Sequence, residues 1–101
     1  MAVKDTVESA IAESKITIFS KSYCPYCKRA KSLFASEFPG VPVKVLELDE
    51  IDEGSAIQDY LQEKTGQRSV PNVFVNQKHV GGSDTVVALN SKGELSALVN
   101  A

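Results

Sequence analysis

Residues Ile16 to Phe34 read ITIFSKSYCPYCKRAKSLF, and Cys24 and Cys27 within that stretch are the two cysteines of the chain. Ile16-Thr17-Ile18-Phe19 is a short β-branched and aromatic run, the pattern of a strand buried in a parallel sheet. From Pro25 onward, Ala30, Leu33 and Phe34 form one apolar stripe at helical spacing. Pro25 suits the first helical turn, where a missing N–H is no loss. Strand, cysteines and helix follow one another with no room for a linker, so Cys24 is placed at a strand-to-helix junction.

Working outward, Val3, Val7, Ala10 and Ile11 recur at helical spacing and predict an amphipathic covering helix that ends before Lys15. Downstream, Phe38-Pro39-Gly40 breaks the second helix, and Val43 to Leu48 reads as a strand followed by an acidic turn from Asp49 to Gly54. Ile57, Tyr60 and Leu61 mark a third helix, closed by Gly66 as a left-handed cap. Val73-Phe74-Val75 and Lys78-His79-Val80 predict two strands joined by Asn76-Gln77. Such a two-residue hairpin normally has glycine second, so Gln77 implies either another turn type or local strain. Gly81-Gly82 ends the hairpin, and Ser83 or Asp84 is expected to cap a helix beginning near Val86. Leu95, Leu98 and Val99 pack a last turn around Gly93. Two strands joined through a helix favour parallel pairing, while the hairpin adds antiparallel partners. The expected class is α/β, with a four-stranded mixed sheet flanked by helices and an extra N-terminal helix.

A chain of 101 residues without internal repeats predicts a single domain over 1–101. No stretch approaches the roughly 20 apolar residues of a membrane span, and the acid-containing first residues lack the uninterrupted apolar centre of a secretory signal. The reading is therefore a cytoplasmic protein with no membrane partner. A net charge of -2 argues against generic nucleic-acid binding, which needs a broad basic surface. The charge is nevertheless uneven. Lys15, Lys21, Lys28, Arg29 and Lys31 lie between Ser14 and Ser36 with no acid among them, so the cysteines occupy the most electropositive segment.

Three readings of the cysteine pair compete. A structural disulfide here would close a loop of only two residues, with little entropic benefit, and disulfide-dependent small domains carry more cysteines. A structural zinc site needs four ligands, and His79 brings the available soft or borderline donors only to three. A reactive dithiol has a mechanism: a sulfur at a helix N-terminus faces unpaired N–H groups and the helix dipole, with Lys21 and Lys28 adding positive charge. An ordinary thiol of pKa ~8.5 is only about 3% thiolate at pH 7, and such surroundings raise that share greatly. Cys27, three residues into the helix and farther from solvent, takes the resolving role, able to attack a mixed disulfide on Cys24. His79 reads as a strand residue, since the dithiol supplies its own nucleophile.

The residues then resemble a known family. Cys24-Pro25-Tyr26-Cys27, Ser69-Val70-Pro71 and Gly81-Gly82-Ser83-Asp84, in this order and spacing, closely resemble the motifs of the dithiol glutaredoxins, and the likeness covers nearly the whole chain. The resemblance implies a thioredoxin-like fold, glutathione as reductant, and reduction of protein disulfides and of protein–glutathione mixed disulfides by a monomer. It implies that Cys24 is the nucleophile and Cys27 the second thiol. It further implies that Lys21 and Arg68 add positive charge near bound glutathione, that Gln58 lies near the tripeptide's glycine end, and that Tyr26 stands beside its sulfur. Ser69, Val70 and a cis Pro71 would offer main-chain groups to the tripeptide as an added strand does. Ser83 and Asp84 would receive its γ-glutamyl end.

Three positions depart from the family pattern. Ser69 stands where threonine is common, Thr85 where a second acid is frequent, and Gln77 where the turn usually has glycine. Thr85 bears on the hold on the glutathione ammonium, and Gln77 on stability. Two other functions are carried forward. A [2Fe–2S] cluster could be held between two chains by Cys24 and two glutathione thiolates, since four thiolates satisfy such a cluster. A thioredoxin-like protein would draw on a reductase instead, but its Trp-Cys-Gly-Pro-Cys motif is missing and the chain has no tryptophan. A pure interaction module would have lost the nucleophile, which is present.

Overall fold

In the computed structural model, which describes residues 2–101, the chain runs α1 (Val3–Glu13), β1 (Ile16–Ser20), α2 (Pro25–Glu37) and β2 (Val43–Glu47), then a 3-10 turn (Leu48–Glu50). It continues through α3 (Gly54–Thr65), β3 (Asn72–Val75), β4 (Lys78–Gly81), α4 (Ser83–Ser91) and α5 (Glu94–Val99). The strands form one sheet in the order β2-β1-β3-β4. β1 pairs parallel with β2 and antiparallel with β3, and β4 extends the hairpin at the edge. This is the mixed, thioredoxin-like sheet expected, with α1 as the additional N-terminal helix.

The apolar run of β1 is explained by its place: all five residues are buried, because helices cover both faces of the central strand. Phe19 packs with Val7, Ile11, Leu46, Ile57, Leu61 and Phe74 under α1 and α3. Ile16 and Ile18 point the other way, into a cluster with Phe34, Val73, Val75, Val86, Leu95 and Val99 under α2, α4 and α5. Phe19 meets Phe74 edge to face at 5.9 Å, an arrangement worth about 0.5–1.5 kcal/mol beyond area burial. Thr17, on the α1 side, satisfies its hydroxyl by donating to the Ala10 carbonyl at 3.1 Å. α1 is also tied to α3 from outside: the Tyr60 hydroxyl donates to Glu8 at 2.6 Å, and Lys64 pairs with the same carboxylate at 2.9 Å. The Glu8 bond pushes the Tyr60 phenol up to about 12. Tyr60 and Lys64 together hold Glu8 below the usual carboxylate range. Because that pKa is lowered on folding, its share of stability is present above about pH 4.3 and is lost as pH falls through the lowered value.

Three boundaries refine the sequence reading and a fourth agrees with it. β2 stops at Glu47, since Leu48 is drawn into the core and starts the 3-10 turn. α3 begins at Gly54, which the sequence reading left in the acidic turn. It is buried against that 3-10 turn, and a Cβ there would stand 1.9 Å from the Leu48 carbonyl oxygen. Gly66 does take the left-handed cap, at φ 83. α4 starts at Ser83 rather than near Val86, and Ser83 and Asp84 lie inside its first turn instead of capping it. The cap position belongs to extended Gly82, whose carbonyl accepts from the Val86 N–H at 3.1 Å.

At the hairpin, Asn76 and Gln77 both sit at positive φ, 49° and 70°. The turn thus keeps the geometry of a two-residue hairpin and places the strain on Gln77, whose side chain disfavours that region by roughly 1–2 kcal/mol. Asn76 has compensation: its amide donates to the Leu98 and Val99 carbonyls at 2.7 and 3.2 Å, closing the end of α5. Gln77→Gly should raise the unfolding free energy by roughly 0.5–1 kcal/mol, since the entropy of glycine offsets part of the relief. Urea unfolding of the two proteins measures it, and an unchanged or lower midpoint would contradict the strain.

Candidate active site

β1 leads straight into the thiols. After Ser20 the chain turns over Lys21–Cys24, closed by the Cys24 N–H donating to the Lys21 carbonyl at 3.1 Å. Cys24 then caps α2 from an extended backbone, with Pro25 as the first helical residue. As cap, it receives the Cys27 N–H on its sulfur at 3.4 Å, while its carbonyl takes the Lys28 N–H at 3.1 Å. Desolvation works most strongly against the Cys24 thiolate. The Cys27 N–H, the Cys27 thiol, the Tyr26 N–H and the charge of Lys31 nevertheless combine to hold its pKa below that of an ordinary thiol. Lys31, one of the cations of the electropositive segment, lies seven residues along α2, is held at 2.8 Å by Glu47, and makes the smallest of these contributions.

Cys27 has the opposite character. It is fully buried, and burial pushes its thiol up, even though the Lys21 N–H donates to its sulfur at 3.5 Å. Both thiols are free. The turn before them is braced by Asp49, whose carboxylate accepts the Ser22 N–H at 2.9 Å and also the Ser22 hydroxyl.

Tyr26, two residues after Cys24, lines a groove of about 390 Å³ together with Gln67, Ser69, Val70, Pro71, Gly82, Ser83, Asp84 and Thr85; Cys24 itself is not part of the lining. The groove's two walls are the Ser69–Pro71 loop, with a cis Val70–Pro71 bond, and the start of α4. Neither main-chain polar group of Val70 has a partner among the described residues. Across the groove, the first turn of α4 presents unpaired N–H groups. The Ser83 hydroxyl is buried there, also without a partner among the described residues. Tyr26 is largely exposed, and Asp84 accepts an ion pair from Arg29 at 3.2 Å.

Of the residues expected to bind a ligand, the fold gathers Tyr26, Ser69, Val70, Pro71, Ser83 and Asp84 around this groove. Lys21, Gln58 and Arg68 are not part of its lining. Gln58 is buried, and its amide donates to the Arg68 carbonyl at 3.0 Å. The Arg68 guanidinium lies along α3, on Asp59 at 3.0 Å and Ser55 at 3.3 Å. His79 is an exposed β4 residue packed on Phe74, with its pKa lowered by desolvation.

The sequence reading missed Gln67, whose amide donates to the Ser69 and Pro71 carbonyls at 3.0 Å each and so clamps the groove loop. A signal existed: a loop outside regular structure leaves carbonyls to satisfy, and Gln67 carries the amide nearest to them. It also missed Arg29, because its partner Asp84 is 55 positions away.

The glutaredoxin family profile matches residues 16–80, from the first residue of β1 into β4. The chain belongs to the glutaredoxin family. It is 48% identical to glutaredoxin-1 of Rhizophagus irregularis over 98% of its own length and 96% of that protein's. It is 54% identical to Arabidopsis thaliana glutaredoxin-C4 over 94% and 69% of the two lengths. A buckwheat glutaredoxin solved in complex with glutathione superposes with a TM-score of 0.91 at 38% identity, covering 97% of this chain and 87% of that one. This glutaredoxin is accordingly a glutathione-dependent thiol oxidoreductase.

The two thiols should titrate on opposite sides of the usual value near 8.5. Because only the thiolate reacts, iodoacetamide labelling of reduced Cys27→Ser should reach half its plateau rate below that pH. Labelling of Cys24→Ser should be slow and reach half-plateau above it. Coincident profiles would contradict the asymmetry.

Proposed function

We propose that this glutaredoxin works as a cytoplasmic monomer that reduces protein–glutathione mixed disulfides and protein disulfides, with glutathione bound in the groove beside Cys24. The observation that carries this reading is the adjacency of a thiol of lowered pKa to a groove whose unpaired groups suit a peptide with a carboxylate at its end. Val70 supports strand-like pairing with a peptide main chain. The N–H groups of α4 and the Ser83 hydroxyl suit a carboxylate, and Asp84 suits an ammonium. Arg29 shares Asp84, and Thr85 contributes no second acid, so the ammonium contact rests on one carboxylate already partly engaged.

With a glutathionylated protein, the Cys24 thiolate attacks the glutathione sulfur. The protein thiolate leaves and takes up a proton, and Cys24 is left as its glutathione mixed disulfide. A second glutathione, as thiolate, attacks the glutathione sulfur of that adduct, which yields glutathione disulfide and returns the Cys24 thiolate. Capping of the Cys24 sulfur by the Cys27 N–H makes it both a better-populated thiolate and a better leaving group.

With a protein disulfide, Cys24 instead joins one protein sulfur and releases the other. Cys27 loses its proton and attacks the Cys24 sulfur, the bond from Cys24 to the protein sulfur breaks, and the second protein thiolate departs and is protonated, leaving a Cys24–Cys27 disulfide. Two glutathiones then reduce that disulfide. The buried, protonated state of Cys27 keeps it from competing with Cys24 in the first attack.

A four-thiolate [2Fe–2S] cluster fits this chain only in part. Cys24 is the accessible thiol, so a cluster would take one sulfur from each of two chains and two from glutathione.

In an assay coupled to glutathione reductase and NADPH, Cys24→Ser should lose at least 10³-fold in turnover of a glutathionylated peptide, on the order expected for removing an obligatory nucleophile. Cys27→Ser should keep most of that activity yet lose reduction of a protein disulfide such as insulin. Equal loss of both activities in Cys27→Ser would overturn the division of labour, and an inactive wild type the whole reading.

A further inference from the structure

Among the described residues, Tyr23 and Tyr26 are the exposed large apolar side chains, at 67% and 60%, and they flank Cys24. Tyr26 lines the groove; Tyr23 does not. Its ring stands on solvent, and among the described residues no hydrogen bond holds its hydroxyl. Yet the turn that carries it is braced. Ser22, its neighbour, is fastened to Asp49 through both its N–H and its hydroxyl, and the Cys24 N–H closes the turn onto Lys21. A fixed loop with a rigid aromatic tip exposes contact area that needs little further ordering on binding, the property that favours tyrosine at interfaces.

The charge beside it is also unspent. Of the cations on α2, Arg29 is paired with Asp84 and Lys31 with Glu47. Lys28 is exposed, has no ion pair among the described residues and lies outside the groove lining. It stands four residues after Cys24, on the same side of the helix start. When glutathione occupies the groove, the protein half of a mixed disulfide must leave Cys24 over the remaining rim. Tyr23 precedes Cys24 directly and Lys28 follows it by about one helical turn, both exposed and both outside the groove lining.

We propose that the Lys21–Cys24 turn and the start of α2 form a docking surface for protein substrates, with Tyr23 as the apolar anchor and Lys28 selecting segments that carry acidic residues next to the reacting cysteine. The proposal rests on the reading of the protein as a reductase of protein-bound disulfides, and names the class of substrate.

The test compares a glutathionylated cysteine peptide flanked by glutamates, the same peptide flanked by lysines, and the cysteine–glutathione mixed disulfide, which has no flanking chain. Wild type should prefer the glutamate peptide. Tyr23→Ala should lower kcat/KM for both peptides about five- to tenfold, the scale of a single interface anchor. It should leave the small mixed disulfide within twofold of wild type, and Tyr23→Phe should recover most of the peptide loss. Lys28→Glu should reverse the preference between the two peptides, and added salt should narrow it in wild type. An equal fall on the small substrate in Tyr23→Ala would mean that the ring acts on Cys24 or glutathione, and would overturn the proposal. So would unchanged peptide turnover, or a Lys28→Glu variant with the wild-type preference. Turnover of the small mixed disulfide by wild type establishes the underlying reading separately; no turnover of any substrate overturns that reading, and the docking surface with it.

Discussion

The Cys27 N–H points at the Cys24 sulfur from 3.4 Å because Cys24 is the cap of α2. Everything functional in this protein depends on keeping that cap where it is. A helix start leaves its first N–H groups without partners, and where serine or aspartate usually stands the chain has placed a sulfur. The pairing is stable only if the strand before it and the helix after it are both immobile. β1 supplies the first condition by being buried along its whole length between two helical layers, and α2 the second through Ala30 and Phe34, which seat it on the sheet.

The same geometry makes two cysteines of one helix chemically unlike. Cys24 meets solvent and N–H donors, so its anion is favoured; Cys27, one turn on, faces the protein interior, and its anion is disfavoured. The order of attack in a dithiol reaction follows from this difference in surroundings. The groove adds direction. Its walls come from the loop before β3 and from the start of α4, which the sheet order β2-β1-β3-β4 brings next to the end of β1. The groove lies to one side of the nucleophile, and the braced turn with Tyr23 lies outside it. Cys24 thus stands in the chain between exposed Tyr23, which does not line the recess, and Tyr26, which does.

Much of this was legible in the residues. The β-branched run, the two cysteines, Pro25 and the apolar helical stripe allow one local arrangement, and the left-handed cap at Gly66 and the trouble at Gln77 were equally plain. Those features depend on neighbours in sequence, where sterics and periodicity decide. Sequence pattern and structure part where partners are distant. The first turn of α4 was placed too late, because Ser83 and Asp84 resemble caps to anyone who cannot see that Gly82 is extended and already in the cap position. Gly54 passed for a turn residue because its close approach to Leu48 is a tertiary fact. Gln58 and Arg68 lie off the groove lining, Gln58 on the Arg68 carbonyl and Arg68 on Asp59 of α3, contacts that are not visible in the sequence pattern.

The sequence by itself determined the class of chemistry: a dithiol at a helix start, in an electropositive segment, on an α/β frame. Composition and spacing suffice for that, because a helix cap, an apolar stripe and a short buried strand are local or periodic properties. Only the tertiary structure decided which carboxylates hold the cations of α2, which carboxylate braces the turn, and which side chains enclose the groove. Lys31 is fixed by Glu47, Ser22 by Asp49 and Arg29 by Asp84, pairs separated by 16, 27 and 55 positions. Such electrostatic contacts act only within a few ångströms, and it is the folding of the sheet that brings those groups within range.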